Sequence, residues 1–417
     1  MRRRLTLRDW HWTRDLAILA GAVFMLNVAI GLSDAVRTNF FVDGLGMSGE
    51  QILWLEGLRE IPGLALVFIA AAMMALPPRV RGVGAMLVMA TGYALYLTVP
   101  SFAALVPVEI FASLGLHVWM PLLTILGTAL VPRDRTGSVL GLLGGAAALA
   151  VITGMGGAAV LSRIGGGLPL RTYYVIGAGL LALAAGLLAL LPRGLGETVE
   201  RPQRILLKRR YWVYYLLTFM QGERKQVLHS FGALVLVSQF GWEVWQISTL
   251  LLISAVVNMV ASPAIGRALD RYGERTMLSA SYAAIALSCV AFATISQVWA
   301  LAVVFILIRL LVLFGIGVDS WVSRLAPREE LAPTLAAGIS INHVSSVGMP
   351  LLAGLLLPLI QYEGIFLMTG ALTLASAVVL HIPAAREAMR GVALAKSSQV
   401  ALELEEIDEG LSAAPDV

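Results

Sequence analysis

Gly46-Met47-Ser48-Gly49-Glu50-Gln51-Ile52 returns 195 residues later as Gly241-Trp242-Glu243-Val244-Trp245-Gln246-Ile247, with the glycine, the glutamine and the isoleucine kept. At the same spacing, Val131-Pro132-Arg133-Asp134 returns as Ala326-Pro327-Arg328-Glu329. Both copies lie in almost wholly apolar sequence. A membrane chain built from two parallel copies usually places a solute pathway between them. The duplication therefore points to transport before any single motif is read.

Composition sets the medium. The chain has 417 residues, 58% hydrophobic and 13% charged, whereas soluble domains carry about 25% charged residues. Its apolar runs reach about 18 residues or more, enough to span a bilayer as helix. They do not alternate as barrel strands would. No small-residue cleavage site follows the first apolar run, so no cleaved signal peptide is expected. Arg2, Arg3, Arg4, Leu5, Leu7, Trp10 and Trp12 read instead as a basic, aromatic segment at the inner interface. Cys289, the single cysteine, lies in an apolar run and can form no intrachain disulfide. A net charge of +4 does not suggest nucleic acid binding.

The apolar runs predict twelve spans, at 16–41, 51–76, 82–100, 102–131, 138–162, 172–191, 211–239, 244–268, 277–295, 298–323, 332–360 and 363–384. With the N-terminus inside, about 23 of the 30 Lys and Arg fall in inner segments, and about two, Arg163 and Arg171, in outer ones. That asymmetry puts both termini in the cytoplasm, with the plasma (inner) membrane as the expected location. Trp54, Trp242, Trp245 and Trp299 fall at outer ends and Trp10, Trp12 and Trp212 at inner ends, as in an aromatic belt. The expected organisation is an interfacial segment at 1–14, a six-helix bundle at 15–191, a basic inner linker at 192–210, a second six-helix bundle at 211–385, and a tail at 386–417 that turns acidic at Glu403, Glu405, Glu406, Asp408 and Glu409.

Between the eighth and ninth spans stands Gly266-Arg267-Ala268-Leu269-Asp270-Arg271-Tyr272-Gly273-Glu274-Arg275. Six plus six spans, inner termini and this loop resemble the major facilitator superfamily over roughly residues 12–385. The loop is similar to the family's inner signature, a glycine, Asp-Arg four residues on, then glycine and a basic residue. The resemblance implies an all-α membrane fold of two pseudo-symmetric six-helix bundles, alternating access, and gating by Gly266, Asp270, Arg271, Gly273 and Arg275. A plain charged turn is the simpler reading of the same residues. The first copy departs from the pattern: the corresponding positions are Ala71, Ala75, Leu76, Pro78 and Val80. No acid remains there, although Arg79 and Arg81 keep that loop basic.

The fifth span carries Gly137, Gly141, Gly144, Gly145, Gly154, Gly156 and Gly157, and the eleventh carries Gly348-Met349-Pro350 and Gly354. Small residues let helices pack backbone to backbone. The eleventh-span set also resembles a diverged glycine motif of the superfamily's drug–proton antiporters.

A charge at mid-bilayer costs roughly 2.5–3.5 kcal/mol on insertion scales, so it faces a cavity or a partner. The densest set is Gln221-Gly222-Glu223-Arg224-Lys225-Gln226, with His229 beyond. Gln221, Arg224 and Lys225 fall on one predicted helix face and Glu223 on another. This set reads either as a buried packing network or as a solute or proton site. Arg224, Lys225, Gln221, Gln226, Arg309, His117 and Asn342 are the candidate solute ligands. Asp34, Glu223 and Glu109 are the candidate proton carriers, since burial and nearby cations tune such carboxylates. Arg37, Glu56, Arg59 and Glu60 are the candidate outer gate, or else the lining of a wet outer mouth. The resemblance implies that the first, fourth, seventh and tenth spans line the cavity.

No phosphate-cradling loop, HExxH, CxxC or catalytic triad stands out. The chain therefore reads as a transporter rather than an enzyme, with no cofactor and no metal. Its expected partners are the bilayer, a small-molecule substrate and protons, and it is expected to act as a monomer. The central cations favour an anionic or zwitterionic solute. Two alternatives stay open: an exporter of amphipathic compounds, and a non-transporting receptor or assembly factor on the same scaffold.

Overall fold

The computed structural model describes residues 12–132, 135–197, 207–383, 385 and 387. The basic segment at 1–11, Arg133-Asp134, linker residues 198–206 and the acidic tail lie outside the described residues, as do the side chains of Gln226, Arg328 and Glu329. The described residues form helices and no strands.

The helices follow the predicted spans. They are α1 (Arg14–Asn39), which ends in a π-turn at Phe40–Gly44; α2 (Gly49–Leu58), α3 (Ile61–Leu64) and α4 (Leu66–Met73) within the second span; α5 (Pro78–Leu95); α6 (Phe102–Ala129); α7 (Thr136–Leu161); and α8 (Leu170–Ala189). The second copy gives α9 (Trp212–Gln226), a π-turn at Val227–Phe231, α10 (Gly232–Phe240), α11 (Val244–Tyr272), α12 (Glu274–Thr294), α13 (Val298–Val312), α14 (Ile316–Leu325) and α15 (Arg328–Val379). Among the described residues, eight stretches are long and apolar enough to cross a membrane. The last covers two predicted spans and is interrupted at Gln361, where φ is 57°.

Three spans predicted as continuous are interrupted: the tenth by a 3-10 turn at Leu313–Gly315 between α13 and α14, the second and the seventh for local reasons. In the second, Pro62 has no N–H to give the carbonyl of Leu58, and the helix restarts at Ile61. In the seventh, the backbone widens into the π-turn directly after Gln226, a device common where a helix serves a site.

The repeat survives at the level of single hydrogen bonds. Gly46 has φ 62° and Gly241 has φ 64°, a left-handed conformation that glycine adopts without strain. Gly46 N–H donates to Val42 O (3.1 Å) and Gly241 N–H to Val237 O (3.0 Å). Met47 N–H donates to Phe41 O (2.9 Å) and Trp242 N–H to Leu236 O (3.1 Å). Gln51 Oε1 accepts from Ser48 N–H (3.1 Å), and Gln246 Oε1 accepts from Glu243 N–H (2.9 Å). The kept glycine supplies the turn and the kept glutamine caps the next helix.

The chain resolves into two compact units, Met1–Pro202 with Ala233–Met259, and Gln203–Gly232 with Val260–Val417. In the first, α1 packs between α7 and α8, and α5 between α6 and α8. Their core includes Leu19, Val23, Leu26, Met86, Leu122, Leu126, Leu181 and Leu188. A Cβ added at Gly154 would lie 2.7 Å from Leu32 N, and one added at Gly31 would lie 2.9 Å from Val151 Cα, so α1 and α7 touch backbone to backbone. Gly137, Gly141, Gly144 and Gly145 would meet no atom within 4 Å, so close packing explains only part of that glycine run. Residues 233–259 join the first unit through polar contacts. Asn39 Nδ2 donates to Trp242 O (2.8 Å), Ser248 Oγ donates to Ala35 O (3.3 Å), and the Arg163 guanidinium lies 4.6 Å from the Trp245 ring centre.

In the second unit α15 packs against α9 and α12, around Tyr211, Tyr214, Leu217, Tyr282, Val318 and Val322. Cys289 is buried and unbridged.

Candidate functional site

In the first unit, α1, α2 and α6 bring Arg37, Glu56, Glu60, Glu109 and His117 together, all between 1% and 9% exposed. Arg37 reaches Glu56 Oε1 and Glu109 Oε1, each at 3.2 Å. Arg59 Nε lies 3.2 Å from Glu56 Oε2 and 3.8 Å from Glu60 Oε1. The break after α2 places Arg59 and Glu60 at the joint and turns both toward α6. Buried ions need such mutual compensation, because a single partner removed strands a charge in a dry medium.

His117 closes this network. Its Nδ1 lies 2.8 Å from the Ser113 carbonyl. A carbonyl only accepts, so Nδ1 carries the proton. Its Nε2 lies 3.9 Å from Glu60 Oε2. Ser113 Oγ in turn donates to Arg59 O (2.5 Å). Thus His117, read from sequence as a solute ligand, shares a cluster with the four outer-gate residues and Glu109. Asp34 is half-buried, one turn before Arg37.

Sequence reading missed the aromatic frame around these ions. Tyr96 OH donates to Glu109, and the Tyr96 ring stacks on Tyr174 at 3.9 Å. The Phe41 ring centre lies 5.0 Å from the Arg37 guanidinium. Arg171 donates to the carbonyls of Tyr96 (2.7 Å), Leu97 (2.9 Å) and Val99 (2.6 Å), closing the end of α5. An arginine in an otherwise cation-poor outer segment was the available signal.

In the second unit the predicted face of Gln221, Arg224 and Lys225 is divided. Arg224 is 4% exposed, lies 4.2 Å from the Tyr282 ring centre and donates to Ser376 Oγ at 2.9 Å. Lys225 is exposed and Glu223 is buried. Neighbouring residues point about 100° apart on a helix, so 224 can enter the bundle while 225 leaves it. Gln221 Nε2 donates to Gly315 O (2.9 Å), and Asn342 Nδ2 to Thr218 O (3.2 Å). Arg309 is half-buried and donates to His229 Nδ1 (3.3 Å). Gln226 lies outside the described side chains.

Two kinds of comparison place this arrangement among known proteins. Residues 224–404 match the family model described as Major Facilitator Superfamily. The fold as a whole is similar to the crystal structure of nucleoside transporter NupG, with TM-score 0.71 and 14% identity over 88% of this chain and 98% of that one. Residues 224–404 are thus similar in sequence to the major facilitator superfamily, and the whole chain shares the fold of these solved transporters. Among other solved structures, a POT family transporter in complex with a thioalcohol-conjugated peptide gives TM-score 0.73 at 13% identity, covering 88% of this chain and 95% of that one. A D-xylose–proton symporter gives 0.66 at 14%, with the same two coverages. No curated protein sequence matches. The long apolar helices among the described residues are those expected of a multi-pass membrane protein.

The residues of the loop that resembles the superfamily's signature form a charged knot in the second unit. Arg324, at the end of α14, donates to Asp270 Oδ1 (2.5 Å) and lies 2.8 Å from Glu274 Oε1. Gly273, with φ 80°, makes the turn between α11 and α12. Arg275 donates to His381 Nδ1 (2.8 Å). A Cβ at Gly266 would meet nothing within 4 Å, so this glycine is not required for helix approach within the structure. Arg271 lies 5.3 Å from the ring centre of its neighbour Tyr272.

At the same end, Lys208, Arg210 and Tyr211 all donate to Glu330, the start of α15. Burial alone would raise its carboxyl, but these donors outweigh burial and pull it from the ordinary 4.5 to about 2. A carboxylate lowered on folding stabilises the folded chain above its unfolded value and loses that contribution as pH falls through its folded value. Glu330 should therefore stabilise fully above about pH 4.5 and fade toward pH 2. Melting of detergent-solubilised protein checks this: Glu330→Gln should lose less stability than wild type between pH 6 and pH 3.

Proposed function

We propose that this chain is a secondary active transporter that moves a small anionic or zwitterionic solute by alternating access, coupled to protons. It is read as a monomer of the inner membrane with both termini in the cytoplasm. The observation that carries the reading is the placement of charge at membrane depth in the second unit. Arg224 is held by Tyr282 and Ser376, while Lys225 is exposed and Arg309 half-exposed. A lipid-facing cation is costly, so exposed cations at this depth face water. In the first unit Glu56, Glu60 and Glu109 exceed Arg37 and Arg59 by one negative charge, which a proton on His117 or on a carboxyl balances. That cluster is the candidate proton relay, with Asp34 beside it. Asp270, Arg271, Gly273 and Arg275 serve as the inner gate.

Reconstituted vesicles test the reading. An imposed proton gradient should drive uptake of a carboxylate solute, and Arg309→Gln should reduce the initial rate by about tenfold or more, the effect of about 1.4 kcal/mol at the transition state. Proton-independent flux, or flux of cations unchanged by Arg309→Gln, would defeat the assignment. The exporter reading rests on the open glycines of α7, Gly137, Gly141, Gly144 and Gly145. Efflux of a lipophilic dye that survives Arg309→Gln would favour it.

A further inference from the structure

His229 has no role in the relay or among the candidate ligands above. It sits on the π-turn after α9, and its Nδ1 accepts a hydrogen bond from Arg309 at 3.3 Å. A guanidinium has donors only. The bond therefore requires a bare lone pair on Nδ1, which places the neutral ring's proton on Nε2. A proton arriving at Nδ1 removes the lone pair, ends the bond and leaves imidazolium beside guanidinium. His229 is exposed, and Lys225, one turn earlier, is exposed too. Other charged or titratable groups on the elements packed against this turn are Glu223 and Arg224 on α9 and His343, Tyr362 and Glu363 on α15, with Asp319 further along on α14. Asp319 accepts from Tyr214 OH (3.1 Å) and Arg224 donates to Ser376, so neither is directed at the imidazole by those bonds.

We propose that His229 and Arg309 form a proton-gated anion site that takes the carboxylate of the solute. With His229 neutral, the imidazole occupies a guanidinium donor. With His229 protonated at Nδ1, that donor turns to a carboxylate oxygen and the imidazolium N–H supplies a second bond, the charge-assisted two-donor geometry that holds carboxylates best. The proton comes from water and returns to it when the anion leaves. Binding and protonation then favour each other by the same factor. The site rests on the transporter reading and deepens it, by giving proton coupling and anion binding one shared element.

Two measurements on the full-length chain in lipid nanodiscs test it. The first needs no solute. With ¹⁵N-labelled histidine at pH 8, and the His229 signals identified by their loss in His229→Gln, Nδ1 should show an unprotonated, hydrogen-bond-accepting shift and Nε2 a protonated one. The opposite tautomer overturns the proposal. The second is benzoate titration by calorimetry in two buffers of different ionisation enthalpy, with benzamide as the uncharged control. Near neutral pH, each benzoate bound should bring about one proton, with affinity rising up to tenfold per pH unit on acidification. In His229→Gln proton uptake should vanish and the pH dependence flatten. Benzoate bound without proton uptake overturns the proposal, as does a bare Nδ1 with no benzoate binding at any pH. In either case vesicle flux judges the transporter reading separately, because Arg309→Gln can still abolish carboxylate uptake while this site fails.

Discussion

Arg37→Met should be the most damaging single substitution in the first unit, lowering stability by about 3–5 kcal/mol, the range for breaking a buried ion pair from one side. Arg37 is the shared partner of Glu56 and Glu109 at 3.2 Å each. Without it Glu109 keeps only the Tyr96 hydroxyl in a dry interior, and Glu56 is left to Arg59, which also faces Glu60. Thermal unfolding in detergent, followed by size-exclusion chromatography, measures the loss. Adding Glu56→Leu and Glu109→Leu should recover much of it, because an apolar set of similar volume needs no countercharge. Unfolding of Arg37→Met within a degree of wild type would mean that the network is hydrated and not the buried cluster described.

Gly154→Val should follow closely, at about 1–3 kcal/mol or more, the penalty of overpacking. The added carbon would stand 2.7 Å from Leu32 N and 3.0 Å from Gly31 C, and those are backbone atoms that cannot rotate away. Either α1 and α7 separate, or the side chain is not accommodated. Gly144→Ala is the matched control on the same helix. Nothing lies within 4 Å of its added carbon, so it should be neutral or stabilise slightly through helix propensity. If both variants melt alike, the backbone contact between α1 and α7 is not a determinant of stability.

The sequence made the architecture legible because lipid leaves few alternatives. An apolar run long enough to span must become a helix. The repeat was legible as three identities, Gly46, Gln51 and Ile52 with their counterparts. The structure shows why two of them were kept: one makes the turn and one caps the helix. Partnerships were not legible. Arg224 is held by Ser376 and Tyr282, far away in sequence on different helices, and no periodicity within α9 identifies either. The outer-gate set Arg37, Glu56, Arg59 and Glu60 was read as a group because three of its members lie close together in sequence. Glu109, Tyr96 and His117 joined it only through helix packing. The π-turn at Val227–Phe231 was invisible for another reason: its residues include no glycine or proline to mark a break, and the widening is a property of the backbone.

Residues 233–259 belong to the first unit although they follow the linker in the chain. A ribosome that has just finished the linker has not yet made the carbonyl of Trp242 that receives Asn39, nor the indole of Trp245 that covers Arg163. The first copy thus enters the bilayer before its own packing partners exist. A half-length fragment ending at the linker would lack both contacts, and its Asn39 would keep only Asp43 as a partner.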